Sequence, residues 1–232
     1  MNRIVTLFKC SLLLVWLLLP CALQAQAPSA FLKDWFVEDQ SGIMQVTALS
    51  DTIEIVAPDG LTLWYKPRLT GNYEISYHIA VVMQDGKHDR LSDLNCFWAA
   101  NDPLHPDQLF ARAQWRNGVF ANYNTLNLFY VGYGGNDNTT TRFRRYHGEY
   151  YGVDDARVKP LLREYTDAPH LLLPNAWYHI VIRVADNRTT YSVNGEELFG
   201  ASLTPGQGDG HFGLRLLQNR VLLTGFSAMK TP

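Results

Sequence analysis

Cysteine is scarce: the 232 residues hold three, Cys10, Cys21 and Cys96. Two of them lie in an N-terminal segment with the outline of a secretory signal peptide. Arg3 and Lys9 precede an apolar run from Ser11 to Leu19, followed by Pro20 and the small-residue stretch Ala22-Leu-Gln-Ala-Gln-Ala27. Removing residues 1–25, or cleaving after Ala27, leaves Cys96 alone, so no internal disulfide can form. Acylation of Cys21, the lipoprotein alternative, is disfavoured by the proline directly before it. The run is also too short and one-sided for a membrane span. The expectation is an exported protein, periplasmic or secreted, that rests on its core without disulfides. Residues 26–232 are enough for one such domain. Cys96 falls in the apolar run Leu94-Asn-Cys-Phe-Trp-Ala-Ala100, the setting of a small buried thiol rather than a nucleophile.

An excess of positive charge is also missing. The chain has 20 basic and 22 acidic residues, and loss of Arg3 and Lys9 leaves 18 against 22, a net charge of −4. That argues against nucleic acid as a partner. Any anion site must come from local clustering, which is visible at Arg142, Arg144, Arg145, Arg157, Lys159 and Arg163. Helical periodicity is nearly absent, and no internal repeat, low-complexity tract or linker divides the chain.

What the chain does have is alternation at period two. Tyr73, Ile75, Tyr77, Ile79, Val81 and Met83 share one side of a strand whose other side carries Glu74, Ser76 and His78. His78 is expected to face solvent without a partner. Further strands are predicted at 43–48, 53–57, 61–66, 94–100, 127–133, 141–147, 177–185, 189–193, 211–217 and 222–229. In the strand from Trp177, the residues Tyr178, Ile180, Ile182 and Val184 point inward while His179 and Arg183 point outward. Turn signals such as Asp59-Gly60, Asp85-Gly86, Asn117-Gly118 and Asn194-Gly195 separate these runs. The pattern predicts an all-β sandwich or jelly roll, with residues 148–175 as a long irregular insertion.

The segment from Tyr130 to His147 concentrates aromatics, turn residues, three arginines and a histidine. Read as strand, turn and strand, it sets Arg142, Arg144 and Tyr146 on one face and Phe143, Arg145 and His147 on the other. One face can hold an anionic ligand, because guanidinium groups bind carboxylates in a bidentate fork. The competing reading is a solvated, salt-bridged sheet surface.

A tryptophan-led strand, a strand ending in Asn194-Gly195 and the closing Phe212-Gly-Leu-Arg215 resemble the C-terminal half of concanavalin-A-like lectin/glucanase sandwiches. Four motifs narrow the resemblance: Asp93-Leu-Asn-Cys-Phe-Trp98, Tyr130-Val-Gly-Tyr-Gly-Gly-Asn136, Asn138-Thr-Thr-Thr-Arg-Phe-Arg-Arg-Tyr146 and Leu172-Leu-Pro-Asn-Ala-Trp-Tyr178. With them the chain is similar, from about Trp35 to Phe226, to the bacterial domain-of-unknown-function family numbered 6250. That resemblance implies a concanavalin-A-like β-sandwich and a setting in the degradation of pectic and other plant polysaccharides. The family brings no established catalytic residues.

Three functions compete on the residues. Hydrolysis needs two facing carboxyl groups. The Glu, Asp, Glu strand of the sandwich glucanases is missing, and only Glu149, Glu164 and Asp167 remain as candidates. β-Elimination on a uronate needs a neutraliser for the carboxylate, a base and an acid. Arg142, Arg144, Tyr146 and His147 contain that set, with Asn95, Tyr130, Asn136, Asn138 and His179 as further sugar contacts. A non-catalytic module would capture an acidic poly- or oligosaccharide on the same Arg- and Tyr-lined face. A structural or interaction role for the sandwich edge is a fourth reading. A chain with its own signal and no fused partner favours the lyase; the missing carboxylate pair favours binding. Trp115 or Tyr123 is a candidate platform for a sugar ring. No cofactor is expected. Asp85, Asp89, Asp93 and Asn95 have a composition calcium accepts, but Lys87, His88 and Arg90 intervene and the spacing matches no calcium loop.

Overall fold

The computed structural model describes residues 28–232. The expected signal peptide, with Cys10 and Cys21, lies outside them. Twelve strands follow one another: β1 (Trp35–Asp39), β2 (Gln45–Leu49), β3 (Thr52–Tyr65), β4 (Tyr73–Val81), β5 (Leu94–Asn101), β6 (Asn127–Gly134), β7 (Thr140–Tyr146), β8 (Leu161–Tyr165), β9 (Trp177–Ala185), β10 (Arg188–Val193), β11 (Glu196–Ser202) and β12 (His211–Lys230). All pair antiparallel, which suits layers buried on one side.

Two long strands organise the sandwich. The second half of β3 pairs with β1, and its first half with β2. β12 runs alongside β3 from Gly213 to Thr224, with its first residues on β5 and its second half on β4. A front layer therefore reads β1-β3-β12-β5-β6-β7-β8 and a back layer β2-β3-β12-β4-β9-β10-β11. The crossing point is a bulge between Leu217 and Asn219, where Gln218 takes φ 48°. Alternation at period two predicts two strands in each place, and the structure joins them. Asp59-Gly60 is no turn: Gly60 stays in register with Leu217, and its carbonyl accepts from the Gln40 amide at 2.9 Å. β1, β8 and β11 add to the expected strands. β8 lies inside the stretch read as irregular; most of its residues are exposed at the sheet edge, so it carries no alternation to detect.

Inward residues of both layers form one core, including Ile55, Leu63, Ile75, Tyr77, Trp98, Val131, Ile182 and Leu214. Trp98 on β5 bridges the layers: its indole N–H donates to Thr189 Oγ1 of β10 at 2.8 Å, and its ring stacks on Phe129, Phe143 and Tyr191. On β9, Tyr178, Ile180, Ile182 and Val184 are buried, with His179 and Arg183 outward. Such parity is sensitive, since a one-residue slip would invert every side chain.

A second apolar cluster lies on the outer side of the front layer. Residues 102–126, with short helical turns at Leu109–Arg112, Ala113–Arg116 and Phe120–Thr125, fold over Trp64, Phe97, Leu128, Tyr130 and Tyr146. This cap buries Leu109, Tyr123 and Leu126 against the sheet and leaves the rest of that face open.

Cys96 is fully buried between the layers, and desolvation pushes its thiol up to about 12. The native protein should therefore resist a thiol reagent such as Ellman's, and react with one equivalent once unfolded in guanidinium. Stoichiometric labelling of the native protein at neutral pH would contradict the placement.

Candidate functional site

Antiparallel register aligns the outward residues of the front layer in rows. One row crosses β3, β12, β5, β6, β7 and β8 as Thr62, Arg215, Asn95, Gly132, Arg142 and Glu164. The next carries Trp64, Gly213, Phe97, Tyr130, Arg144 and Leu161. The cap covers the β1 and β3 end of both rows. What remains is a cleft of about 500 Å³ lined by Asn95, Tyr130, Arg142, Arg144, Tyr146, Lys159 and Arg215, with Gln40, Phe120, Arg90, Asp93, Asn136 and Asp137 around it. Gly132 is required here: a Cβ at that position would lie 2.5 Å from the Tyr130 hydroxyl, so only glycine lets the ring lie flat along the sheet.

The cleft's charges fall into two groups. Arg142 is held by Glu164, and Arg90 by Asp93 at 2.8 Å and Asp137 at 2.6 Å. Arg144, Lys159 and Arg215 have no carboxylate partner among the described residues. Arg144 donates to the Lys159 carbonyl at 2.8 Å and Arg215 to the Gly118 carbonyl at 2.6 Å, bonds that orient the guanidinium groups without neutralising them. Burial, with Arg144 beside it, pushes the Lys159 ammonium below its ordinary range. Burial also holds the Tyr130 and Tyr146 hydroxyls well above theirs, so both stay protonated at neutral pH. Asn95 is 3 % exposed; its amide donates to Asp93 Oδ1 at 2.9 Å, and its Oδ1 has no partner among the described residues.

The other candidate residues lie elsewhere. His147 is on the opposite side of β7, with Arg145 and Glu149 in a separate cavity of about 420 Å³. The alternation that sets Arg144 and Tyr146 in the cleft turns His147 away from it. Asn138 brackets Leu172, donating to its carbonyl at 2.9 Å and accepting from its amide at 2.8 Å, and so pins the turn after β6. His179 sits on the outer side of the back layer, stacked on His78 with ring centres 4.3 Å apart and bonded to Ser76 Oγ at 2.9 Å. His78 thus has a partner that its alternation did not suggest. Glu149, Glu164 and Asp167 do not converge: the first lies by His147, the second on Arg142 and the third on His170. Tyr123 is buried on the inner side of the cap, while Trp115 is exposed under the Arg112 guanidinium, 4.3 Å from its ring centre. Neither lines the cleft.

Lys159 stands in the cation cluster visible in the sequence, whereas Arg215 and Arg90 are not among the expected site residues. Arg215 was legible: in 211–217 it shares parity with His211 and opposes Phe212 and Leu214. Two of the acids weighed for calcium, Asp89 and Asp93, are engaged by arginine. Arg220 grips Asp89 at 2.8 and 3.0 Å and holds its carboxyl well below the usual range, and Arg90 holds Asp93. Among the described residues no group of three or more His, Cys, Asp or Glu side chains could hold a metal ion, and no helix is long and apolar enough to cross a membrane.

Two antiparallel layers sharing long central strands, with a cleft on the outer face of one, define a concanavalin-A-like, galectin-like β-sandwich. The chain belongs to the family described as Domain of unknown function (DUF6250), which matches residues 55–226. Among solved structures it is similar to a Bacillus subtilis protein of unknown function with a galectin-like fold (TM-score 0.65, 14 % identity, 87 % of this chain and 91 % of that one). It is also similar to the carbohydrate binding module CBM66 from Bacillus subtilis (TM-score 0.53, 8 % identity, 85 % and 96 %). A third likeness is to the metal-free carbohydrate recognition domain of Emp46p (TM-score 0.52, 13 % identity, 91 % and 93 %). At these identities the likeness is one of fold. No curated protein matches the chain.

The cleft's wall depends on one buried ion pair. Arg116 of the cap donates to Glu38 Oε1 through Nε at 3.0 Å and Nη2 at 2.7 Å, and both side chains are at most 1 % exposed. Arg116→Ala should cost about 3–5 kcal/mol, because it strands the carboxylate in an apolar setting. Urea denaturation followed by tryptophan fluorescence measures this, and a midpoint within error of wild type would show that the pair does not secure the cap.

Proposed function

We propose that this is an exported carbohydrate-binding sandwich whose front-layer cleft holds an acidic poly- or oligosaccharide of the uronate-containing kind. The observation that carries the reading is the convergence of Arg144, Lys159 and Arg215, none with a carboxylate partner among the described residues, in a chain with more acidic than basic residues. Uncompensated cations in a partly desolvated cleft are costly unless an anion arrives. Tyr130 and Tyr146 supply hydroxyl donors and ring edges, and the amide of Asn95 suits a polar sugar group. The galectin-like fold and the carbohydrate-binding descriptions of two similar structures support a saccharide over other anions. In this reading Asn136 stands at the rim, while Asn138 acts only through the turn it pins, and His147 and His179 take no part. Export rests on the N-terminal signal pattern.

Arg144→Ala should weaken binding of polygalacturonate fragments by roughly ten- to hundredfold, the usual weight of a charge-assisted hydrogen bond. Neutral glycans and the far-ultraviolet spectrum should stay unchanged. Calorimetric titration decides it: equal affinity in the variant and wild type would leave the arginines as a solvated surface.

Lys159 favours β-elimination as a second reading at the same site. A neutral amine there would take the proton at C5 of a uronate whose carboxylate rests on Arg215. The electron pair would form the C4–C5 double bond as the C4–O bond breaks, and a protonated tyrosine would give its proton to the leaving oxygen. Turnover, followed by the ultraviolet absorbance of the unsaturated product, should rise with pH through the depressed Lys159 value and fall where the tyrosine ionises. Absorbance that never grows, beside intact binding, would restrict the protein to capture.

A further inference from the structure

We infer that the cleft receives the end of an acidic glycan chain rather than its middle, with a terminal uronate against Arg215; this rests on the acidic-saccharide reading above. An open row across a sandwich layer would let a polysaccharide run over every strand. Here the row Thr62, Arg215, Asn95, Gly132, Arg142 is cut at Arg215. Thr62 beyond it is fully buried and Glu38, one strand further, lies under the docked cap, so no sugar can pass over them; Arg215 is itself only 2 % exposed and lines the inner end of the cleft.

The seal is a packed wall. Gly118 of the cap sits on Gly60 of β3 so closely that a Cβ at 118 would lie 2.3 Å from the Gly60 carbonyl oxygen and 2.7 Å from the Gln40 amide nitrogen. The Gly118 carbonyl accepts from Arg215 Nη1, and Arg116 and Tyr123 fix the cap to Glu38. Arg215 thus lines the closed end with Nη1 on the Gly118 carbonyl and 3.5 Å from Thr62 Oγ1, and no hydrogen bond is made by Nε or Nη2 among the described residues; its row neighbour Asn95 keeps an unpartnered Oδ1. The opposite end is open, since the Arg142 side chain is 32 % exposed and that of Asp137 81 %. A volume of about 500 Å³ falls within the roughly 300–1,000 Å³ of pockets that enclose small ligands, room for a short terminal stretch of sugar rather than a long chain.

The test titrates the intact mature protein with galacturonate oligomers from mono- to hexasaccharide and with polygalacturonate fractions of graded length. Chain-end recognition predicts affinity that levels off within the first few units, and protein bound per unit mass of polymer that doubles when mean chain length is halved. Affinity that keeps rising with length, or capacity per unit mass that ignores length, would overturn the chain-end inference and leave saccharide binding standing. No binding to any member of the series would overturn both. Gln40→Ala, which trims the closed end without touching the Glu38 pair, should weaken a short oligomer and the polymer by the same factor; loss confined to the polymer would also contradict a blind-ended cleft.

Discussion

A carboxylate buried under the cap sets the shape of the front-layer cleft. Glu38 lies on β1, where alternation turns it outward from the core, yet it is shielded because Arg116 and Tyr123 meet it there. Burying an ion costs several kcal/mol that only close partners recover. Both partners belong to residues 102–126, so that segment cannot lift from the sheet without stranding the charge. The apolar cluster around Trp64 and Phe97 adds area to the same docking, and the close approach of Gly118 to Gly60 becomes possible because neither residue has a side chain. Through the Gly118 carbonyl the constraint reaches Arg215. Ion pair, cap and cleft wall therefore act as one unit.

The same pairing explains how a chain with an excess of acid presents a cationic cleft. Its acidic groups are engaged elsewhere: Glu54 and Asp89 on Arg220, Glu74 on Arg183, Glu197 on Arg188, Asp107 on Arg68. Inside the cleft, Asp93 and Asp137 share Arg90 and Glu164 holds Arg142. Arg144, Lys159 and Arg215 are what these pairings leave over. Position relative to the cap, rather than net charge, decides where the field is positive.

Period-two reasoning carried far where both neighbours of a residue were ordinary strand residues. It set Arg142, Arg144 and Tyr146 on one face and Tyr178, Ile180, Ile182 and Val184 in the core, while the continuous apolar run around Cys96 marked that thiol as buried. It failed where a residue's environment comes from distant chain. Glu38 in Trp-Phe-Val-Glu-Asp has the composition of a solvated strand end until Arg116, 78 positions later, covers it. Lys159 enters the cleft only because β8 folds back on β7, and an edge strand with exposed residues leaves no alternation to follow. His147 was drawn into the site by nearness in sequence to Arg144, although its own parity pointed the other way. The long strands β3 and β12 were split beside their shared bulge, where Gln218 bends β12 between Leu217 and Asn219.

In the proposed saccharide site, Lys159 is the group at which capture and elimination would part. Burial and the neighbouring Arg144 both favour its neutral amine. A carboxylate arriving beside it favours the ammonium, because opposite charge close by stabilises the charged form. Tight binding needs the proton on, whereas elimination needs it off, and the two cannot be satisfied at one nitrogen at the same moment. Placement of the carboxylate settles the conflict. If it rests on Arg215 at the closed end, Arg215 carries the neutralisation and leaves Lys159 free to stay neutral; if it rests between Arg144 and Lys159, the lysine is held charged and the site only binds. On the proposed saccharide reading, the position of one sugar carboxylate along the row from Arg215 to Arg144 is thus the variable that divides capture from elimination.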